Sequence, residues 1–149
     1  MNEIRRFMTE SPHAIGHDQP LRLAHERMQH FGIRHLPVLD AGVLVGVISE
    51  RDIALIGAVS SEDQEITVEE AMSAEPYSVA PGDDLLEVTT RMAEHKYGCA
   101  VVMSQNKVVG VFTTTDALHV LAGLLRQAAS TPAVQSCVEP LAKHAKSKK

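Results

Sequence analysis

Only two cysteines, Cys99 and Cys137, occur in 149 residues. With neither paired spacing nor a secretory context, they argue against a disulfide framework, and Cys99 reads as a small buried hydrophobe of a strand. Long apolar runs are missing as well. The longest, Val43 to Ile48, is far too short to span a bilayer, and residues 1–8 lack the apolar stretch of a signal peptide. A cytoplasmic protein with no membrane partner is expected. Positive charge is scarce outside the carboxyl end, where Lys143, Lys146, Lys148 and Lys149 cluster. Residues 1–142 carry ten basic against nineteen acidic side chains, a net −9. Such a body suits nucleic acid poorly, because phosphates need a basic face. Residues 130–149, rich in Ala, Ser and Lys, read as a flexible tail. Enzyme signatures are absent too: no nucleophile–base pair, no Walker-type glycine loop and no metal-ligand spacing. The eight histidines form no coherent set, since His25 and His30 leave one helix face and His13 and His17 lack a cysteine partner. No metal and no required cofactor are expected.

What the chain does have is itself twice. Met8 to Asp52 recurs without a gap as Met72 to Asp116. The pairs Met8/Met72, Pro12/Pro76, Leu21/Leu85, Arg27/Arg91, Met28/Met92, Val38/Val102, Val45/Val109, Gly46/Gly110, Val47/Val111 and Asp52/Asp116 are identical, against roughly two or three expected by composition. Two copies of one supersecondary unit follow. With 44% hydrophobic residues they can bury a core, and two copies close on each other more readily than they stack in an array.

Each half reads as a helical turn, a proline-containing loop, a very short strand, an amphipathic helix, two strands and a second helix. In the first half Leu21, Ala24, Met28 and Phe31 give the helix one apolar face, and Gly32 stops it. Leu36–Leu39 and Val43–Ile48 flank the turn Asp40-Ala41-Gly42 as a hairpin. The second half repeats this with a helix near 84–96 and strands Ala100–Met103 and Val108–Phe112. The polar stretch 59–66 is a linker between repeat 1 (1–58) and repeat 2 (67–129), and Thr67-Val-Glu-Glu70 has capping-box spacing. In the helix from Asp116 to Ala129, Ala117, Val120, Leu121 and Leu124 form one apolar stripe, and Leu118, Ala122, Leu125 and Ala129 form another. One core cannot cover both, so a homodimer is expected through the helices that follow the Asp52 and Asp116 motifs.

The sharpest local signal is Gly46-Val-Ile-Ser-Glu-Arg-Asp52, echoed by Gly110-Val-Phe-Thr-Thr-Thr-Asp116. Each sits where a strand turns into a helix. Ser49 and Thr113 suit the N-cap, with the aspartate at the third helical position favoured by the helix dipole. The same carboxylate and hydroxyl could instead accept hydrogen bonds from the vicinal hydroxyls of a ribose. Both readings stand on residue chemistry alone.

The order of elements, the segment Gly32-Ile-Arg-His-Leu-Pro-Val38 and the repeated Gly-h-h-(Ser/Thr)-x-x-Asp endings resemble a tandem pair of CBS domains, a Bateman module, over residues 4–129. The resemblance implies an α/β (α+β) fold of two pseudo-symmetric β-α-β-β-α repeats packed through their sheets. It also implies a non-enzymatic sensor of an adenosine-containing ligand (AMP, ADP, ATP, S-adenosylmethionine or NAD(H)) that signals in trans. Ser49, Asp52, Thr113 and Asp116 would then meet ribose. Arg34 and His35, with Arg51 assisting, would meet phosphate. The base would lie among His13, Ala14, Ile15, Leu36, Tyr77, Ser78, Val79, Cys99 and Ala100. Gly98 and Cys99 stand where the first half has Arg34 and His35, so the two clefts are expected to differ. The alternative is a purely structural interaction module in which the same residues only cap helices.

Overall fold

The computed structural model describes residues 2–61 and 64–130. The expected tail, with Cys137, and the linker residues Glu62 and Asp63 lie outside the described residues. The chain divides into two compact units, one ending at Thr113 and the other beginning at Thr114.

After a 3-10 turn at Ile4–Arg6, the first unit runs β1 (Thr9–Glu10), β2 (Ile15–Gly16), α1 (Leu21–Phe31), β3 (His35–Asp40), β4 (Val43–Ser49) and α2 (Glu50–Val59). It continues with α3 (Val68–Ala71), β5 (Ser78–Val79), α4 (Leu85–His95), β6 (Cys99–Ser104) and β7 (Lys107–Thr113). The second unit contains α5 (Thr114–Ala129). Repeat 1 contributes a three-stranded sheet, β2-β3-β4, and repeat 2 a four-stranded sheet, β1-β7-β6-β5. The expected mixed α/β architecture is present in both copies.

Local chemistry explains the elements. Leu21, Ala24 and Met28 are buried along α1, as Val88 and Met92 are along α4, which is the spacing of one helical stripe. Phe31 departs from the expected pattern: it is 44% exposed and stacks on His13, because it lies at the end of α1, beyond the buried Leu21, Ala24 and Met28 and next to the left-handed Gly32 that stops the helix. Leu36, Val38 and Ile48 from the β3–β4 hairpin join Ile15, Met28 and Val68 in one core cluster. Ala41 and Gly42 take positive φ in the tight hairpin turn. Cys99 is buried, and Thr67 with Glu70 forms the capping box its spacing suggested.

A reciprocal exchange joins the repeats. The leading segment of repeat 1 docks on repeat 2, with β1 pairing to β7 through Thr9↔Val111 and Glu10↔Gly110. Sixty-four residues later the leading segment of repeat 2 docks on repeat 1, with Ser73 bridging to Val47 of β4. The backbone hydrogen bonds match in pairs. Ile4 N–H donates to Asp83 O at 2.8 Å and Val68 N–H to Gln19 O at 2.9 Å. Leu85 N–H donates to Asn2 O, and Leu21 N–H to Ile66 O, both at 2.7 Å. Pro20 and Asp84 give α1 and α4 no side-chain cap. The exchanged arms satisfy an amide of each first turn instead. Each arm also passes over the glycine of the repeated motif, where a Cβ on Gly46 would stand 2.6 Å from both Met72 Sδ and the Ser73 carbonyl oxygen. On Gly110 it would collide with Met8.

The two docking sites differ in charge. His17 reaches Glu69 on the second arm at 3.2 Å through Nδ1 and Asp40 of the hairpin turn at 3.3 Å through Nε2. The equivalent pair on the other side is Pro81 and Arg5, joined only by a backbone bond of 3.1 Å. The hydrogen bond to Glu69, with Asp40 and Asp18 nearby, raises the His17 pKa above 6.5. A base with a raised folded pKa contributes stability fully below the unfolded value and loses it as pH rises through the folded one. Thermal unfolding followed from about pH 5.5 to 8.5 should therefore show wild type losing more stability than His17→Gln as pH rises above 6.5. Parallel profiles would contradict the ionic clamp.

Candidate functional site

The Gly-h-h-Ser-x-x-Asp corner of repeat 1 is built by its own hydrogen bonds. Ser49 leaves β4 in extended conformation, and its hydroxyl accepts from Asp52 N–H at 3.1 Å. Asp52 Oδ2 accepts from Ser49 N–H at 2.9 Å. Serine, carboxylate and helix start are thereby locked together, as capping requires. A carboxylate at the positive end of a helix is favourably placed, and one bond to Ser49 N–H leaves it further acceptor capacity.

Strand register brings the candidate phosphate residues to this corner. His35 pairs across the hairpin with Ser49, and Glu50 N–H donates to Arg34 O at 2.9 Å. The Asp52 carboxylate is near enough to the His35 ring to favour its charged form. Arg34 is exposed, with Nε 3.7 Å from Glu50, so its guanidinium keeps donors available. Arg51 is exposed in the first turn of α2. The His35 ring extends toward repeat 2, where a Cβ on Gly98 would stand 2.6 Å from Nε2. Gly98 therefore does more than lack a cation: its missing side chain is the space that His35 uses. Burial lowers the His35 pKa, Asp52 opposes that shift, and Arg34 adds to it.

The other candidates separate by exposure. Leu36 and Ala100 are fully buried, while Ile15, Val79 and Cys99 are nearly so. His13 and Ser78 are exposed, and Ala14 and Tyr77 are half-buried. Arg27 fixes the first of these loops by donating to Ala14 O at 2.7 Å. Thr113 closes β7, and Asp116 stands in the first turn of α5.

Sequence reasoning missed the aromatic partners of this surface. His13 stacks on Phe31 with centroids 3.6 Å apart, and His30 meets Phe31 edge-on. Tyr77 stacks on Tyr97 at 5.0 Å, and Tyr97 on His95 at 5.1 Å. The signal was present in the duplication, because His13 and Tyr77 are equivalent and so are Phe31 and His95. Among the described residues, no group of three or more His, Cys, Asp or Glu side chains is arranged to hold a metal ion.

This architecture matches a known family. The CBS domain family matches twice, at residues 4–59 and 68–123. The chain is a tandem pair of CBS domains. A candidate acetoin utilization protein (AcuB) from Vibrio cholerae shares its fold with a TM-score of 0.76 and 32% identity, over 88% of this chain and 98% of that one. The CBS domain pair of protein MJ0100, solved with 5′-methylthioadenosine and S-adenosyl-L-methionine, superimposes with a TM-score of 0.72 at 24% identity, over 81% of this chain and 96% of that one. CBSX2, solved with AMP, gives a TM-score of 0.71 at 21% identity, over 83% and 98%. At those two identities the likeness establishes the CBS-pair fold. No helix among the described residues is long and apolar enough to cross a membrane.

Proposed function

We propose that this CBS pair is a non-enzymatic regulatory module that binds an adenosine-containing ligand at the Ser49–Asp52 corner and signals to another protein in trans. The observation that carries the reading is the register of β3 against β4, which sets His35 opposite Ser49, the residue whose hydroxyl and backbone hold Asp52. Hydrogen-bond acceptors for a ribose thus stand beside donors for a phosphate. The adenosyl ligands in the MJ0100 and CBSX2 structures support the same class of ligand. Tyr77 and His13, with their aromatic neighbours, are the side chains proposed to meet the base.

The module acts as a cytoplasmic homodimer in this reading. Leu55 and Val59 of α2 are 63% and 83% exposed, and Leu118, Leu121 and Leu124 of α5 are at least half exposed. Large exposed aliphatics recurring along helices favour burial against a partner surface.

A thermal-shift panel of AMP, ADP, ATP, S-adenosylmethionine and NADH tests the ligand class. At least one compound should raise the melting temperature, with an increment of about 2.7 kcal/mol expected at a hundred times its Kd. Failure of every compound at millimolar concentration would sink the reading.

A further inference from the structure

His35 occupies a singular position in the duplication. It opens β3, lies across from Ser49, and presses its Nε2 edge toward Gly98 of the other repeat. The charged groups that act on it are Asp52 from α2 and the adjacent Arg34, while Gly98 brings none. Arg34 is in turn drawn toward Glu50. Cys99 holds the equivalent place in repeat 2 and is buried. A thiol cannot become a cation, so only one corner carries a protonatable ring.

We propose that His35 selects the charge of the ligand by taking a proton from solvent as a phosphate arrives, so that this corner prefers an adenosine monophosphate to an adenosyl sulfonium. The inference rests on reading the corner as an adenosine site. Desolvation lowers the His35 pKa below 6.5 although the Asp52 carboxylate opposes the shift, so the ring gives up its proton more readily than a free imidazole. A phosphate ester brings a charge between −1.5 and −2 near neutral pH, which is the countercharge a half-buried imidazolium needs. S-adenosylmethionine carries a sulfonium and an ammonium against one carboxylate, so beside Arg34 its net positive charge makes it the poorer countercharge. Gly98 completes the arrangement, because any side chain there would displace the ring that must take the proton.

Isothermal titration of AMP into the full chain, at about pH 7 and about pH 8 in two buffers of different ionisation enthalpy, reads the proton directly. At these pH values the phosphate is mostly dianionic, since its second pKa is about 6. Wild type should take up a large fraction of one proton per AMP, and its affinity should fall several-fold at the higher pH, within the limit of about tenfold per pH unit for one proton. The preference for AMP over S-adenosylmethionine should be about tenfold or more and should shrink in His35→Asn, which should bind AMP with buffer-independent heat. Heat that is independent of buffer in wild type, or proton uptake unchanged in His35→Asn, would overturn the inference and leave the adenosine reading intact. No AMP binding by folded wild type that binds another adenosyl compound of the panel would overturn the inference alone, whereas failure of the whole panel would overturn the adenosine reading with it. If His35→Asn does not fold, nitrogen-detected NMR of the wild-type imidazoles decides: the His35 titration should move to higher pH with AMP, and an unmoved curve counts against the proposal.

Discussion

Gly46→Ala should destabilise the protein by about 1–3 kcal/mol, the usual cost of forcing a methyl group into a packed region, while Gly110→Ala should cost clearly less. The two positions are equivalent in the duplication, yet what crosses them differs. At Gly46 the new Cβ would meet the Ser73 carbonyl oxygen at 2.6 Å, and that backbone is tied to β4 by hydrogen bonds in both directions between Val47 and Ser73. At Gly110 the backbone atom in the way, Thr9 O, is 3.1 Å distant, and the closer obstacle is the flexible Met8 side chain. A thioether can swing aside, whereas a paired carbonyl must drag its strand with it. For a domain of this size the Gly46 substitution should lower the Tm by roughly 2–12 °C. Urea unfolding of the two variants side by side checks the order. Equal losses, or a greater loss at Gly110, would show that the arms do not hold the repeats together as described.

Asp52→Ala should lose all stabilisation by an adenosine ligand while lowering basal stability only modestly. The side chain makes one capping bond, to Ser49 N–H, and the reverse bond from Asp52 N–H to the Ser49 hydroxyl survives the substitution. The basal cost should therefore be about 1 kcal/mol. The ligand increment of about 2.7 kcal/mol at a hundred times the Kd should vanish, because a ribose would lose its charged acceptor. Thermal melts of wild type and variant with and without AMP separate the two effects. A full AMP-induced shift in a folded Asp52→Ala protein would move the ligand away from this corner. A basal loss of several kcal/mol with no ligand effect in wild type would instead favour a purely structural role for the carboxylate.

Much of the fold was legible because its signals are local. Gly32, the Asp40-Ala41-Gly42 turn, the Thr67–Glu70 capping box and the Ser49–Asp52 pair each act within a few residues, and all appear in the structure at those positions. The exchanged arms were not legible. β1 has two residues, too few for any alternation, and its pairing of Thr9 with Val111 is decided by the whole topology. Phe31 fitted a helical stripe by spacing, yet it sits at the last turn, where α1 has run past the core. At the candidate site, residue types marked the Ser49–Asp52 corner and the family resemblance named His35, while the strand register sets His35 across from Ser49. The role of Gly98 was hidden for the same reason: what matters there is a volume left empty for a side chain of the other repeat.

The reciprocal arms also bear on the order in which the chain can assemble during its synthesis. Residues Thr9 and Glu10 leave the ribosome long before Val111 and Gly110, the partners they need, have been made. Contacts so distant along the chain close late, after the hairpins and helices have formed. Repeat 1 must therefore wait for α3 and Ser73 before its own β4 is covered, and its leading segment stays unpaired until the second hairpin is complete. Neither half can finish folding alone, so the duplication behaves during translation as a single unit that closes only when its last strand arrives.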